Sequence, residues 1–107
     1  MLFVVSAAFL TSPKTQTAAQ AVPFSTIRKI IDTRCLGCHA DKPSFQGFAE
    51  APKGVKLDTP ERIRALALQV HRQAVLSKAM PPGNLTGLTE EERQLLDRWY
   101  RAGAKLD

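Results

Sequence analysis

The chain has 107 residues, which fits one domain and leaves no room for several. Its composition is that of an ordinary globular protein, and its two cysteines are separated by two residues, a spacing that is typical of cofactor, metal or redox sites and less often of a scaffold disulfide. Its formal net charge of +5 comes from Lys and Arg residues scattered along the chain. That charge suits an acidic partner protein, an anionic membrane face or ordinary solubility, and we expect no nucleic-acid partner.

Residues 1–22 differ in composition from the rest. Leu2–Leu10 is apolar but far shorter than the roughly 20 residues that span a bilayer, and it suits the centre of a secretory signal. Ala19-Gln20-Ala21 offers a cleavage site, although no charged side chain precedes the apolar run. Three interpretations stay open: a cleaved signal peptide, a membrane anchor or its remnant, and a disordered N-terminus. Export would place the folded domain, residues 23–107, in the periplasm or facing it.

The folded domain is predicted to begin with a helix near Pro23. Ser25 or Thr26 can cap its start, and the helix should run into Cys35. Its apolar residues recur at helical spacing, at Phe24, Ile27, Ile30 and Ile31.

Residues 40–57 have no sustained helical or strand period. Prolines and glycines interrupt them, at Pro43, Gly47, Pro52 and Gly54. A long loop inside a small domain is unusual unless it serves a function, so we predict that this loop wraps a cofactor.

A second helix is predicted from Thr59, which caps it, and Pro60, which suits its first turn. It should end before Pro81, because a residue that precedes proline avoids helical geometry. One apolar face is formed by Ile63, Leu66, Ala67, Val70 and Ala74.

The last helix is predicted from a capping box, Thr89 with Glu92, and it should end at Gly103. Its inner face is expected to consist of Leu95, Leu96, Trp99 and Ala102. We find no repeat and no convincing strand, so the prediction is an all-α domain with three main helices and long loops.

Residues 35–39, with the sequence CLGCH, match the attachment pattern of covalent haem in c-type cytochromes. Two thiols at this spacing, Cys35 and Cys38, can form thioethers with the two vinyl groups of one porphyrin. The next residue, His39, is then held beside the iron and can bind it as the proximal ligand. We therefore predict one haem c, bound by Cys35, Cys38 and His39.

Two other uses of the cysteine pair are less consistent with the chain. A structural zinc ion needs about four ligands, and His71 and carboxylates are the only further candidates besides the motif. A thioredoxin-like pair should lie near a βαβ pattern, and none is visible.

The second axial ligand is predicted to be Met80. It is the only methionine besides Met1, and the prolines after it can hold it rigidly over the open haem face. The alternatives are that Met80 fills a gap in the core and that His71 binds the iron. Ligation by methionine and histidine predicts a moderately high reduction potential.

Other residues near the site have two interpretations. Trp99 is expected to be a core residue, with electron transfer or a bond to a haem propionate as the alternative. Arg72, Lys53 and Lys56 are expected on the solvated surface, although each is a candidate partner for a propionate.

The stretch 35–104, about two-thirds of the chain, resembles the C-terminal cytochrome c domain of the bacterial membrane-bound urate oxidase (urate hydroxylase) family. The haem motif is shared by all such cytochromes, whereas the proline-lysine-glycine stretch and the methionine loop are more specific. The matching segments are 35–39, 51–55, 57–60, 63–65, 80–84, 86–89 and 91–93, leading to Trp99. The resemblance implies a class I cytochrome c-like fold in which Cys35 and Cys38 attach haem and His39 and Met80 are the axial ligands.

Members of that family carry a long membrane domain before the cytochrome, and urate oxidation is assigned to that domain. Residues 1–22 can be no more than its remnant or an export signal. The resemblance therefore implies an electron carrier and not an enzyme. Its expected partners are a urate-oxidising membrane domain and a terminal oxidase or another cytochrome. The alternative is a haem enzyme or gas sensor, peroxidase-like, with an open or labile sixth iron position.

Overall fold

A computed structural model describes residues 21–107, so the predictions for residues 1–20 lie outside the described part. This part is all-α and contains four α-helices and no strand. No helix within it has the length and apolar character needed to cross a membrane. The helices are α1 (Phe24–Arg34), α2 (Pro60–Ala65), α3 (Ala67–Val70) and α4 (Glu90–Arg101). Shorter segments are the 3-10 turns Pro52–Gly54 and Pro82–Asn84 and the π-helical segment His71–Leu76, called the π segment below.

Helix α1 ends at Arg34, directly before Cys35, as predicted. The prediction that Ser25 or Thr26 caps its start is wrong. The helix already begins at Phe24, so both hydroxyl residues lie inside its first turn, whereas a capping side chain must precede the first helical residue. The free N–H of Phe24 instead donates to the Asp107 carboxylate, at 3.1 Å from Oδ2.

The second predicted helix is divided. Thr59 caps α2 as predicted, and its Oγ1 accepts from the N–H of Arg62 at 3.2 Å. At Leu66 the backbone leaves helical geometry (φ −103°, ψ 13°), and the chain continues as α3 and then as the π segment. Helical structure ends at Leu76, so three predicted main helices become four α-helices and one π segment.

Both predicted ends of α4 are confirmed. The N–H of Thr89 donates to Glu92 Oε1 at 2.9 Å, and the N–H of Glu92 donates to Thr89 Oγ1 at 3.0 Å. At the other end Gly103 adopts a φ of +108°, which glycine tolerates best. The N–H of Ala104 then donates to the C=O of Trp99 at 2.9 Å, as expected for a Schellman cap.

The inner face of α4 differs from the prediction at two positions. Leu96 and Trp99 are buried and Leu95 is half-buried, as expected. Ala102 is exposed, because the helix ends at Arg101 and the chain turns there. Arg93, which was not predicted to face inward, is buried.

The core is one cluster to which all four helices and the π segment contribute, with α1 supplying the largest share. The rings of Phe24 and Trp99 pack at 6.2 Å between centroids. The indole N–H of Trp99 donates to the C=O of Lys105 at 2.9 Å, so Trp99 is a core residue with its polar atom satisfied. The largest fully buried side chains are Ile27, Ile31, Ile63 and Leu96.

Replacing Thr89 by alanine should lower the free energy of unfolding by about 1 kcal/mol, because the helix loses its N-terminal cap. The matched control is Ser25→Ala, which removes a hydroxyl that caps nothing and should change stability by less than about 0.5 kcal/mol. Urea unfolding followed by circular dichroism measures both. Equal destabilisation by the two substitutions would contradict the assignment of the caps.

Candidate haem site

An apolar cleft of about 290 Å³ lies between the end of α1, the loop 40–57, α3 and the π segment. Three of the four predicted site residues line it: Cys35, His39 and Met80. Cys38 is half-buried in the adjoining turn and is not part of the lining. The walls are largely aliphatic, formed by Val55, Leu57, Leu66, Val70 and Ala74. The fold thus brings two potential iron ligands, far apart in sequence, to one apolar cleft.

The cysteine motif continues α1 as a tight turn. The N–H groups of Cys38 and His39 both donate to the C=O of Cys35, at 3.2 and 3.0 Å. Cys35 and Cys38 are both free thiols in this structure, so each retains the sulfur that a thioether would use.

The end of α1 is attached to the start of α4. The Nε of Arg34 donates to Glu92 Oε1 at 3.0 Å, and its Nη1 donates to the C=O of Thr86 at 2.6 Å. Burial acts to raise the pKa of Glu92, but hydrogen bonds from Thr89 and Arg34 outweigh it and lower that pKa. A charged Glu92 therefore holds Arg34, the residue next to Cys35.

Burial, together with the charges of Cys38 and Glu92, raises the pKa of the Cys35 thiol to about 12. A raised thiol pKa leaves little of the thiolate that disulfide exchange requires. Nor do residues 21–107 contain a cluster of three or more His, Cys, Asp or Glu side chains that could hold a metal ion. The first observation disfavours the thioredoxin-like interpretation of the pair, and the second disfavours the zinc interpretation.

His39 is oriented by the loop that follows it. Its Nδ1 lies 2.8 Å from the C=O of Val55, and because a carbonyl only accepts, Nδ1 carries the proton. The C=O of His39 accepts in turn from the N–H of Leu57 at 2.7 Å. This tautomer leaves the Nε2 lone pair for a metal, and such carbonyl bonds commonly orient metal-binding histidines.

Met80 is held through its main chain. Its N–H donates to the C=O of Gln73 at 2.9 Å, and its C=O accepts from Arg93 Nη1 at 3.1 Å. The next peptide bond, Met80–Pro81, is cis, and Pro81 is buried. Met80 lines the cleft together with Cys35 and His39.

His71 lies apart from the cleft. Its ring stacks on Tyr100 with 4.3 Å between centroids, and its Nε2 is 2.7 Å from Asp97 Oδ1. The hydrogen bond from His71, aided by Arg101, keeps the pKa of Asp97 below its usual range despite partial burial. The structure therefore gives His71 a packing and hydrogen-bonding role, and His71 does not belong to the cleft lining.

The cationic candidates for propionate binding differ in position. Lys53 lines the rim of the cleft, with its backbone at a φ of +55°. Lys56 pairs with Asp41 at 2.8 Å, and Arg72 is exposed. Of the three, only Lys53 belongs to the cleft lining.

Sequence reasoning missed Arg93. Its guanidinium contacts the segment that carries Met80, as described below. The available signal was its spacing, because Arg93 lies three residues before Leu96 and six before Trp99 and therefore shares their helix face. Charged residues at inward positions commonly have a specific partner.

No protein-family model matches the chain, and no curated protein and no solved structure was found to match it. The resemblance to the urate oxidase cytochromes therefore stays a prediction based on the residues that carry it.

Proposed function

We propose that this chain is a c-type cytochrome with a class I cytochrome c-like fold, and that it carries single electrons through one covalent haem. The observation that carries the proposal is the cleft, where Cys35, His39 and Met80 meet among aliphatic side chains. Such a lining suits a large apolar cofactor, and its two donor types are those of a cytochrome c iron.

Each residue has a role in this proposal. Cys35 and Cys38 attach the porphyrin, and His39 Nε2 and the Met80 thioether bind the iron. Bound haem would supply an iron that alternates between Fe(II) and Fe(III). The Val55 carbonyl orients the imidazole and leaves Nε2 for the iron. The aliphatic walls limit water access, and the Met80 thioether raises the reduction potential relative to two nitrogen ligands.

Because Met80 and His39 would both bind the iron, they would leave it no site for a substrate, so the proposed role is transport of electrons and not catalysis. The test is expression of the full chain in a bacterium with a cytochrome c maturation system. We expect one haem that survives denaturation, a reversible one-electron titration, and no carbon monoxide binding by the reduced protein at neutral pH. Rapid stoichiometric binding would favour a haem enzyme or gas sensor, and the absence of attached haem would contradict the proposal altogether.

We propose further that the protein faces the periplasm, where the N-terminal segment would direct it or hold it at the membrane. By the resemblance, its electron donor would be a urate-oxidising membrane domain, and its acceptor a terminal oxidase or another cytochrome. The basic net charge of +5 suits an acidic docking surface on either partner. Co-purification with a urate-oxidising membrane protein would support this assignment, and failure of urate-fed membranes to reduce the cytochrome would count against it.

A further inference from the structure

Arg93 is a cation in the interior of the domain. The residue is only 7% exposed, on the face of α4 that also buries Leu96 and Trp99. Among residues 21–107 it forms no ion pair. Its hydrogen-bond partners are uncharged oxygens: the C=O of Ala74, the C=O of Met80 at 3.1 Å and Asn84 Oδ1 at 3.5 Å.

All three partners belong to the segment that carries Met80. Ala74 lies in the π segment before Met80, and Asn84 lies in the 3-10 turn after it. Asn84 is itself held, since its Nδ2 donates to the C=O of Leu88 at 3.1 Å. The N–H of Met80 is bonded to the C=O of Gln73, so Arg93 completes the main-chain bonds of Met80.

Glu90 and Asp97 line a surface pocket together with Arg93, but Glu90 pairs with Lys78, and Asp97 pairs with His71 and Arg101. A buried cation outside any ion pair is costly, and an aliphatic side chain would fill the same space without that cost. Packing alone therefore does not account for arginine at this position. Its guanidinium presents five N–H donors from three nitrogens in a rigid planar fork, so it can bond several separated acceptors at once. An aliphatic side chain has no donor, and a lysine ammonium offers its three donors from a single nitrogen.

From this geometry we infer that Arg93 is a positioning residue for the sixth iron ligand: its guanidinium fixes the Met80 main chain so that the thioether stays in the cleft that His39 also lines. The inference rests on the proposed function and deepens it. In this inference, the strength of the Met80–iron bond depends on Arg93, a residue that does not line the cleft.

The test is a competition between Met80 and added imidazole in the oxidised, haem-containing full chain. Arg93→Lys keeps the charge but loses the fork, so we expect imidazole to bind at least about tenfold more tightly than in wild type, equivalent to about 1.4 kcal/mol. The reduction potential should fall in parallel, because the thioether that raises it is held less firmly. The matched control is Arg98→Lys, the same change at an exposed position of α4, which should alter imidazole affinity by less than about twofold.

A second variant keeps the test decisive if Arg93→Lys does not yield folded protein. Asn84→Gly removes one acceptor of the guanidinium at a φ of +52°, where glycine fits without strain. The substitution removes one of the three bonds of the guanidinium and also the bond from Asn84 Nδ2 to the C=O of Leu88. We expect about threefold tighter imidazole binding, because the Met80 segment is held less firmly. Lys78→Gly is its control, because Lys78 has a φ of +58° in the same segment but its side chain pairs with Glu90.

The outcomes separate the two proposals. A wild-type chain without attached haem would overturn the proposed function and this inference together. Attached haem, with imidazole affinity unchanged in Arg93→Lys despite a lower unfolding midpoint, would overturn the inference alone and leave Arg93 a structural residue. If Arg93→Lys does not fold, equal imidazole affinities of Asn84→Gly and Lys78→Gly would overturn it as well.

Discussion

Met80→Ala should convert the proposed electron carrier into a protein that binds carbon monoxide. Removing the thioether leaves His39 as the one axial ligand, so the reduced variant should bind carbon monoxide stoichiometrically at neutral pH, which the wild type should not do. Its reduction potential should fall by on the order of 0.1 V, part of the roughly 0.8 V range over which axial ligands set haem potentials. Loss of the far-red absorption of a methionine–iron(III) bond gives an independent spectroscopic measurement.

The matched control for this prediction is His71→Phe. His71 is the alternative ligand in the sequence, but its ring lies against Asp97 and Tyr100 and away from the cleft. The substitution keeps an aromatic ring for Tyr100 to stack on, so it should lower stability without opening the iron to carbon monoxide. Carbon monoxide binding by His71→Phe and not by Met80→Ala would reverse the ligand assignment.

Local signals in the sequence predicted local structure well. The caps at Thr59 and Thr89 and the turn at Gly103 are confirmed, because each depends on hydrogen bonds between residues at most five positions apart. The all-α class follows for the same reason, since helical periodicity is a short-range pattern.

Features that depend on distant partners were not predictable in this way. The N-terminus of α1 is satisfied by Asp107, 83 positions away, and not by its own hydroxyl residues. The break at Leu66 leaves no trace in the pattern, because Ile63, Ala67 and Ala74 keep helical spacing across it. Helical spacing of apolar residues indicates which face of the segment is buried, but it does not indicate whether the helix continues without a break.

The same distinction between local and long-range features applies to the candidate site. The motif at 35–39 and the proline-flanked Met80 identify the donor atoms from sequence alone. The Val55 carbonyl that selects the His39 tautomer does not follow from the sequence, because any carbonyl of a long loop could serve. The role of Arg93 depends likewise on where the Met80 segment folds back.

Replacing both cysteines, Cys35→Ala with Cys38→Ala, should have the largest effect on the protein. Without thioethers, any haem should be removed by acidified organic solvent, and the denatured chain should carry none. A cleft of about 290 Å³ left without its cofactor, at roughly 24 cal/mol per Å³, corresponds to about 7 kcal/mol as an upper limit, since water can enter an open cleft. That is comparable to the entire stability of a typical domain, about 5–15 kcal/mol.

We therefore expect the double variant to lose cooperative unfolding or to unfold at a much lower temperature than wild type. The single variants are its controls, because each keeps one thioether and should retain covalent haem at reduced yield. Haem that stays attached to the denatured double variant would show that the bond is made elsewhere. A double variant without haem that is as stable as the wild type would instead show that the domain does not use haem as part of its core.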